Sequence, residues 1–193
     1  TSVMNEYMTA IANPVLDNDG SLIKFIGDAS MHIHGAPIDN TNHAYDAVKT
    51  VKAMLKAVED FNFKLKLEGK PPVGMGAGVN TGKILVGNIG SDRKMGYDCL
   101  GDPVSVAARL ESQTKSYGVL VIVGPDTVAA TKDKYDYFEL DNIAVKGRLL
   151  RYCLRYCRPA DDHTTSTQQA TPRRQTTTGV LQLRCVEMPQ TAT

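Results

Sequence analysis

Hydrophobic and polar positions along the chain change period several times, and each change marks an element. Asn5 to Val15 reads as an amphipathic helix ending near Pro14. Leu22–Ile26 and Ser30–His34 read as short strands flanking Gly27-Asp28, the signal of a tight hairpin. Ala44, Ala47, Val48, Val51, Met54, Leu55 and Val58 then recur at helical spacing with charged residues between them. Val73–Val79 and Ile84–Val86 read as strands joined by Asn80-Thr81-Gly82-Lys83. Asp102-Pro103 opens a helix through Ser116, with Asp102 as the expected cap and Pro103 suited to the first helical position. Val119–Val123 reads as a buried strand, and Phe138–Leu140, Ile143–Val145 and Tyr152–Tyr156 as later ones. Interleaved strands, helices and hairpins predict an α/β sandwich with a mixed sheet and helices mainly on one face.

After Arg158 the pattern stops. The stretch DDHTTSTQQATPRRQTTT holds almost no large apolar residue, so residues 159–193 are expected to be a disordered Thr/Gln-rich tail behind a domain of residues 1–158. Gly179–Met188 is a short apolar island in it, read as solvated chain with a docking segment as the alternative.

Composition narrows the function classes. With 22 Lys+Arg against 21 Asp+Glu, the chain is not the strongly basic domain that holds nucleic acid by charge. No apolar run reaches the roughly 18–20 residues needed to span a bilayer. Four cysteines (Cys99, Cys153, Cys157, Cys185) do not make a disulfide framework at this length, and an intracellular, reducing setting is expected.

Four segments carry candidate chemistry. In Lys24-Phe25-Ile26-Gly27-Asp28 a carboxylate sits at a hairpin tip. It reads as a turn residue or as a ligand for Mg²⁺, which takes one or two protein oxygens besides water and phosphate. The Gly74–Gly90 stretch has glycines on alternate positions, which allow close approach of another backbone or a ligand. It is neither a Walker loop nor a Rossmann turn. Ser105 and Arg109, four apart on the third helix, share a face that suits an anion clamp. Val145-Lys146-Gly147-Arg148 is a basic turn between strands. His32 and His34 alternate on one strand, but no third ligand lies nearby in sequence and zinc is disfavoured.

Taken in order, KFIGDASM, GVNTGKILVGNIGS, YDCLGDPVSVAARLES and FELDNIAVKGR resemble the blocks of the class III nucleotidyl cyclase catalytic domain, over about Asn5 to Tyr156. The resemblance implies a ferredoxin-like palm that pairs head-to-tail, with two active sites shared across a homodimer or heterodimer. It implies attack of the ribose 3′-hydroxyl of ATP on the α-phosphate, giving 3′,5′-cyclic AMP and pyrophosphate, assisted by two Mg²⁺ or Mn²⁺ ions. By position, Asp28 matches the second of the family's metal aspartates. Lys24 and Asp98 match the purine-reading pair in its adenine-selecting form, where guanylyl cyclases carry Glu and Cys. Arg109 matches the transition-state arginine and Lys146 a triphosphate-binding lysine.

Two departures stand out. No segment matches the strand that carries the family's first metal aspartate. The 193 residues alone are therefore expected to be inactive, with that strand, and any membrane attachment, lying upstream. Ser105 replaces the usual ribose-orienting Asn, a loss worth roughly 10²-fold in the chemical step by analogy with removing one preorganised donor. The alternative reading is a non-catalytic cyclase-like domain that binds nucleotide or serves as a dimer partner.

Overall fold

The computed structural model describes residues 2–144, 151–157 and 178–185. In chain order the elements are α1 (Ser2–Leu16), β1 (Ser21–Ile26), β2 (Ala29–His34), α2 (His43–Leu67), β3 (Gly74–Thr81), β4 (Leu85–Ser91) and β5 (Lys94–Leu100). They continue with α3 (Asp102–Tyr117), β6 (Val121–Val123), α4 (Pro125–Thr131), β7 (Tyr137–Ala144), β8 (Arg151–Cys157) and β9 (Thr178–Cys185). Seven strands form a mixed sheet in the order β1-β2-β9-β3-β6-β8-β7, and β4-β5 form a separate antiparallel hairpin.

Alternation along the strands sorts the core into two faces. Met75, Ala77 and Val79 of β3 pack with Ile11 and Val15 of α1, with Val48, Val51 and Met54 of α2, and with Val128 of α4. On the other face Val106 and Leu110 of α3 pack on Ile122 of β6, while Met31 and Ile33 of β2 pack with Ile84 and Cys99 beside the hairpin. Three helices therefore cover one face and α3 the other, as the pattern predicts in its main lines.

The contact between α3 and β3 is backbone-close because two strand positions lack side chains. A Cβ on Gly78 would lie 2.2 Å from the Ala107 carbonyl oxygen and 2.4 Å from the Glu111 nitrogen, both backbone atoms that cannot step aside. Buried Asn80 ties the start of the helix to the same strand, its Nδ2 donating to the Pro103 carbonyl at 3.2 Å.

The structure corrects several expectations. Helix α1 runs through Pro14 to Leu16, which carries Val15 into the core. The cap of α3 is Gly101; Asp102 is already helical, and its charge faces the positive end of the helix dipole. The strand expected at Ile84–Val86 is the start of β4, which runs on to Ser91, while α4 and β5 do not register as periodic runs, α4 because it is one short turn pair and β5 because glycine and polar residues interrupt its apolar positions. The strands expected at Phe138–Leu140 and from Ile143 are one strand, β7, with an irregular register between Glu139 and Asp141, and Val145 lies outside the described residues. One segment of the expected tail falls among the described residues. Thr178–Cys185 is a strand paired on both sides inside the sheet, because backbone pairing is available there to a segment whose composition alone does not call for burial. The other tail positions, 159–177 and 186–193, lie outside the described residues.

Gly78→Ala is expected to cost about 3 kcal/mol or more, as overpacking against backbone does at its upper end. Thermal unfolding should show it as a large fall in Tm, whereas Gly74→Ala, with nothing within 4 Å of its Cβ position, should show little.

Candidate active site

The β1-β2 hairpin turns at Gly27, whose φ of +66° a side chain would disfavour, and this delivers Asp28 to the start of β2. Asp28 is half-buried, and its charge acts on two groups from different helices. Burial first and Asp28 second push the Tyr7 hydroxyl of α1 up to about 12. Burial first, with Asp28 contributing, also raises the Glu111 carboxyl of α3. Asp28 is thus near enough to α1 and to α3 for its charge to act on one group of each.

Lys24, four residues earlier on the edge strand, joins Asp98 of β5. Its Nζ lies 2.5 Å from the Asp98 Oδ2, with both side chains partly exposed, and Asp98 Oδ1 accepts from the Cys99 backbone N–H at 2.8 Å. The pair bridges the large sheet to the separate hairpin.

On α3 the spacing of Val106, Ala107, Leu110, Glu111 and Thr114 sets the buried face, so Ser105 and Arg109 stand one turn apart on the exposed face. The structure thus brings Lys24 to Asp98 and stacks Ser105 with Arg109. Asp28 sits in the turn between β1 and β2. Lys146 lies outside the described residues.

Glu111 is the group the sequence reading missed. It is 4% exposed and its Oε1 has no hydrogen-bond partner; its other oxygen is 3.4 Å from the Ser112 hydroxyl. The signal was available, because Glu111 falls four residues after Ala107 and one after Leu110, on the apolar stripe. Asp28 offers the hard, partly solvated oxygen that suits Mg²⁺ or Mn²⁺, and such an ion takes its remaining ligands from water and phosphate. Among the described residues no group of three or more His, Cys, Asp or Glu is arranged to hold a metal. His32 and His34 are fully buried under α1 and α2, and His32 Nε2 pairs with the Ser30 hydroxyl at 2.9 Å. They are core groups, and no zinc set forms around them among the described residues.

Comparison with known proteins places this geometry. The family model described as the adenylate and guanylate cyclase catalytic domain matches residues 1–157. Adenylate cyclase 1 of Rhizobium meliloti is 33% identical over 147 residues, covering 76% of this chain and 22% of that protein. The terminal-differentiation-specific adenylate cyclase of Dictyostelium discoideum is 31% identical over 150 residues, 75% of this chain and 7% of that protein. The chain therefore spans less than a quarter of the length of these relatives. Among solved structures, the adenylyl cyclase CyaB of P. aeruginosa superposes with a TM-score of 0.71 at 24% identity, covering 86% of this chain and 85% of that one. The guanylyl cyclase Cya2 superposes at 0.70 with 26% identity, covering 81% and 78%.

The buried histidines give the domain a pH dependence of definite sign. Burial lowers His32 to about 3, with His34 adding to the effect. Burial likewise lowers His34 to about 4, partly offset by Asp46. Between these values and the ordinary 6.5, the unfolded chain binds protons that the folded chain does not, so stability is present above pH 6.5 and is lost as pH falls toward 4. Unfolding free energies from denaturant titrations between pH 7 and pH 4 should fall steadily, by on the order of a few kcal/mol in all, and His34→Gln should flatten the slope.

Proposed function

Because the chain belongs to the class III nucleotidyl cyclase family, we propose that it is the catalytic domain of an adenylate cyclase, acting on ATP in intracellular signalling. The family's shared chemistry is cyclic nucleotide formation by a lyase reaction, and divalent metals are its general requirement.

The observation that carries the choice of ATP is the Lys24–Asp98 pair. With the ammonium opposite purine N1 and the carboxylate opposite the 6-substituent, adenine offers an acceptor to the donor and an amine to the acceptor. Guanine in the same pose sets N1–H against the ammonium and O6 against the carboxylate, a mismatch at both contacts. Arg109, exposed on α3, supplies a guanidinium for the charge that builds on the α-phosphate, and Ser105 beside it orients the ribose through its hydroxyl. Asp28 would hold a divalent metal, whose chemistry when bound would be to lower the pKa of the 3′-hydroxyl and neutralise phosphate charge. Lys146 is assigned to the triphosphate on the resemblance of its segment alone.

Two copies are needed. In the shared site that the family resemblance implies, one ATP draws Asp28 from one copy and Lys24, Asp98, Ser105, Arg109 and Lys146 from the other. Support comes from exposed apolar side chains around the edge strand and the hairpin: Phe25, Ile26, Leu85, Met95, Tyr97 and Leu100. A patch of this kind suits a protein interface.

A second reading, a non-catalytic partner domain, is favoured by Ser105 and by the single metal-matched carboxylate among the described residues. A heterodimer with one complete site tolerates it.

The test is cyclic AMP and cyclic GMP formation with Mg²⁺ and Mn²⁺ by the protein carrying the expected upstream strand. Cyclic AMP formation that Asp28→Ala abolishes supports the adenylate cyclase; no product from a folded dimer supports the partner domain. Arg109→Ala should lower turnover by at least about 10²-fold while ATP binding, read with a fluorescent analogue, changes little. Lys24→Glu with Asp98→Cys should move the ratio of cyclic AMP to cyclic GMP toward cyclic GMP, and an unchanged ratio would reject the purine assignment.

A further inference from the structure

At the opposite end of β2 from Asp28, the chain folds around a cleft of about 620 Å³ that the proposed reaction does not use. Its wall draws on the turn after α1 (Asp19 and Gly20), the loop after β2 (Ala36 to Asn40) and the first turn of α2 (Asp46). A space of this size accepts an organic molecule and far exceeds a single ion.

The wall has one sign of charge. Asp19, Asp39 and Asp46 line it, and no lysine or arginine is among the described residues that do. Asp46 accepts from the Asn40 Nδ2 at 2.8 Å, which ties the loop to α2 and fixes that side of the cleft. Aliphatic carbon lines the same space through Ala36, Pro37 and Ile38, and Ile38 is 82% exposed.

A second observation lies behind the wall. His34 ends β2, is fully buried, and has no hydrogen-bond partner on either ring nitrogen. The Cε1–Nε2 edge of its ring is turned to Gly20, where a Cβ would lie 2.9 Å from both atoms. Burial, the largest influence, lowers the His34 pKa; Asp46 and Asp19 raise it, and His43 lowers it. Buried polar atoms are ordinarily paired, and the lone pair of a neutral imidazole accepts from an N–H that enters beside Gly20.

A metal ion is the poorer match. Among the described residues no three His, Cys, Asp or Glu groups converge to hold one. Carboxylates spread around a cleft, with aliphatic carbon beside them, suit a cation whose charges are also spread along a hydrocarbon chain.

We propose that this cleft binds an aliphatic polyamine. Asp19, Asp39 and Asp46 take its ammonium groups, Ala36, Pro37 and Ile38 cover its methylenes, and His34 accepts one further N–H. Ammonium–carboxylate contacts are charge-assisted, and the methylenes remove Ile38 from water. The bound chain fastens the turn after α1 to the start of α2. The proposal is independent of the cyclase reading, and its test uses no activity measurement.

The test is calorimetric titration of the full chain with spermidine in about 150 mM salt, where interactions at long range are screened. Saturable one-to-one binding is expected, with amide NMR shifts confined to residues 19–21 and 36–46. The His34 ring nitrogens, followed by side-chain NMR, should shift with the same midpoint. Asp19 and Asp39 are exposed, so Asp19→Asn with Asp39→Asn keeps the fold and should weaken binding about tenfold or more. Asp92→Asn with Asp133→Asn removes equal charge outside the cleft and should change binding little. Absence of saturable binding, equal weakening by the two double variants, shifts outside the cleft, or an unmoved His34 ring would each overturn the proposal. Displacement of spermidine by equimolar Mg²⁺ would also overturn it, by showing a general cation surface.

Discussion

Two buried strands with facing backbone edges cannot be left unpaired, and that requirement organises this molecule. β2 carries the hairpin that presents Lys24 and Asp28, and β3 carries the glycines on which α3 seats. Each strand is buried over most of its length, so every N–H and C=O on the edges between them needs a partner. Whatever occupies the gap sets the distance between the hairpin and α3, and with it the distance between Asp28 and the helix that carries Arg109. In the described fold the occupant is β9. Fold and site are therefore coupled through backbone hydrogen bonds rather than through any side chain of the site.

Seen from α3, one close approach decides three side chains. The Ala107 carbonyl and Glu111 nitrogen lie against Gly78, which fixes the rotation of the helix about its own axis. That rotation turns Ser105 and Arg109 outward and Glu111 inward. An inward carboxylate with an unpartnered oxygen in the field of Asp28 is costly, and burial raises its pKa in response, easing the cost by favouring the neutral form. The outward arginine stays hydrated and available to an anion. The same four-residue geometry that makes α3 amphipathic thus separates a group that binds from a group that is shielded.

Much of this was legible beforehand, and the reasons differ by element. Helix α2 announced itself because nine of its positions are buried at regular spacing. The Gly27-Asp28 hairpin was legible because a turn needing positive φ leaves a chemical signature. Lys24 and Asp98 are 74 positions apart, and no periodicity relates them; only their place in the family's blocks did, and the structure then set them in contact. Strand β9 was illegible for a physical reason: its pairing comes from backbone groups that every sequence has, while its side chains pattern as solvated chain. Glu111 was missed because acidic residues are read as surface by default, although its stripe position argued otherwise.

The hairpin bearing Asp98 belongs to a different sheet from the strand bearing Lys24, and the ion pair is the tie between them. A partly exposed pair contributes little to stability, so its value is in placement. Each partner orients the other, which holds a donor and an acceptor side by side before any base arrives and lowers the ordering cost of binding one. If the pair reads the purine as proposed, discrimination follows from the fixed order of donor and acceptor, since the competing base reverses that order at both positions. A lone lysine or a lone aspartate would read one position and swing to accommodate either base. The pair would read two, and its mutual attraction would oppose the swing.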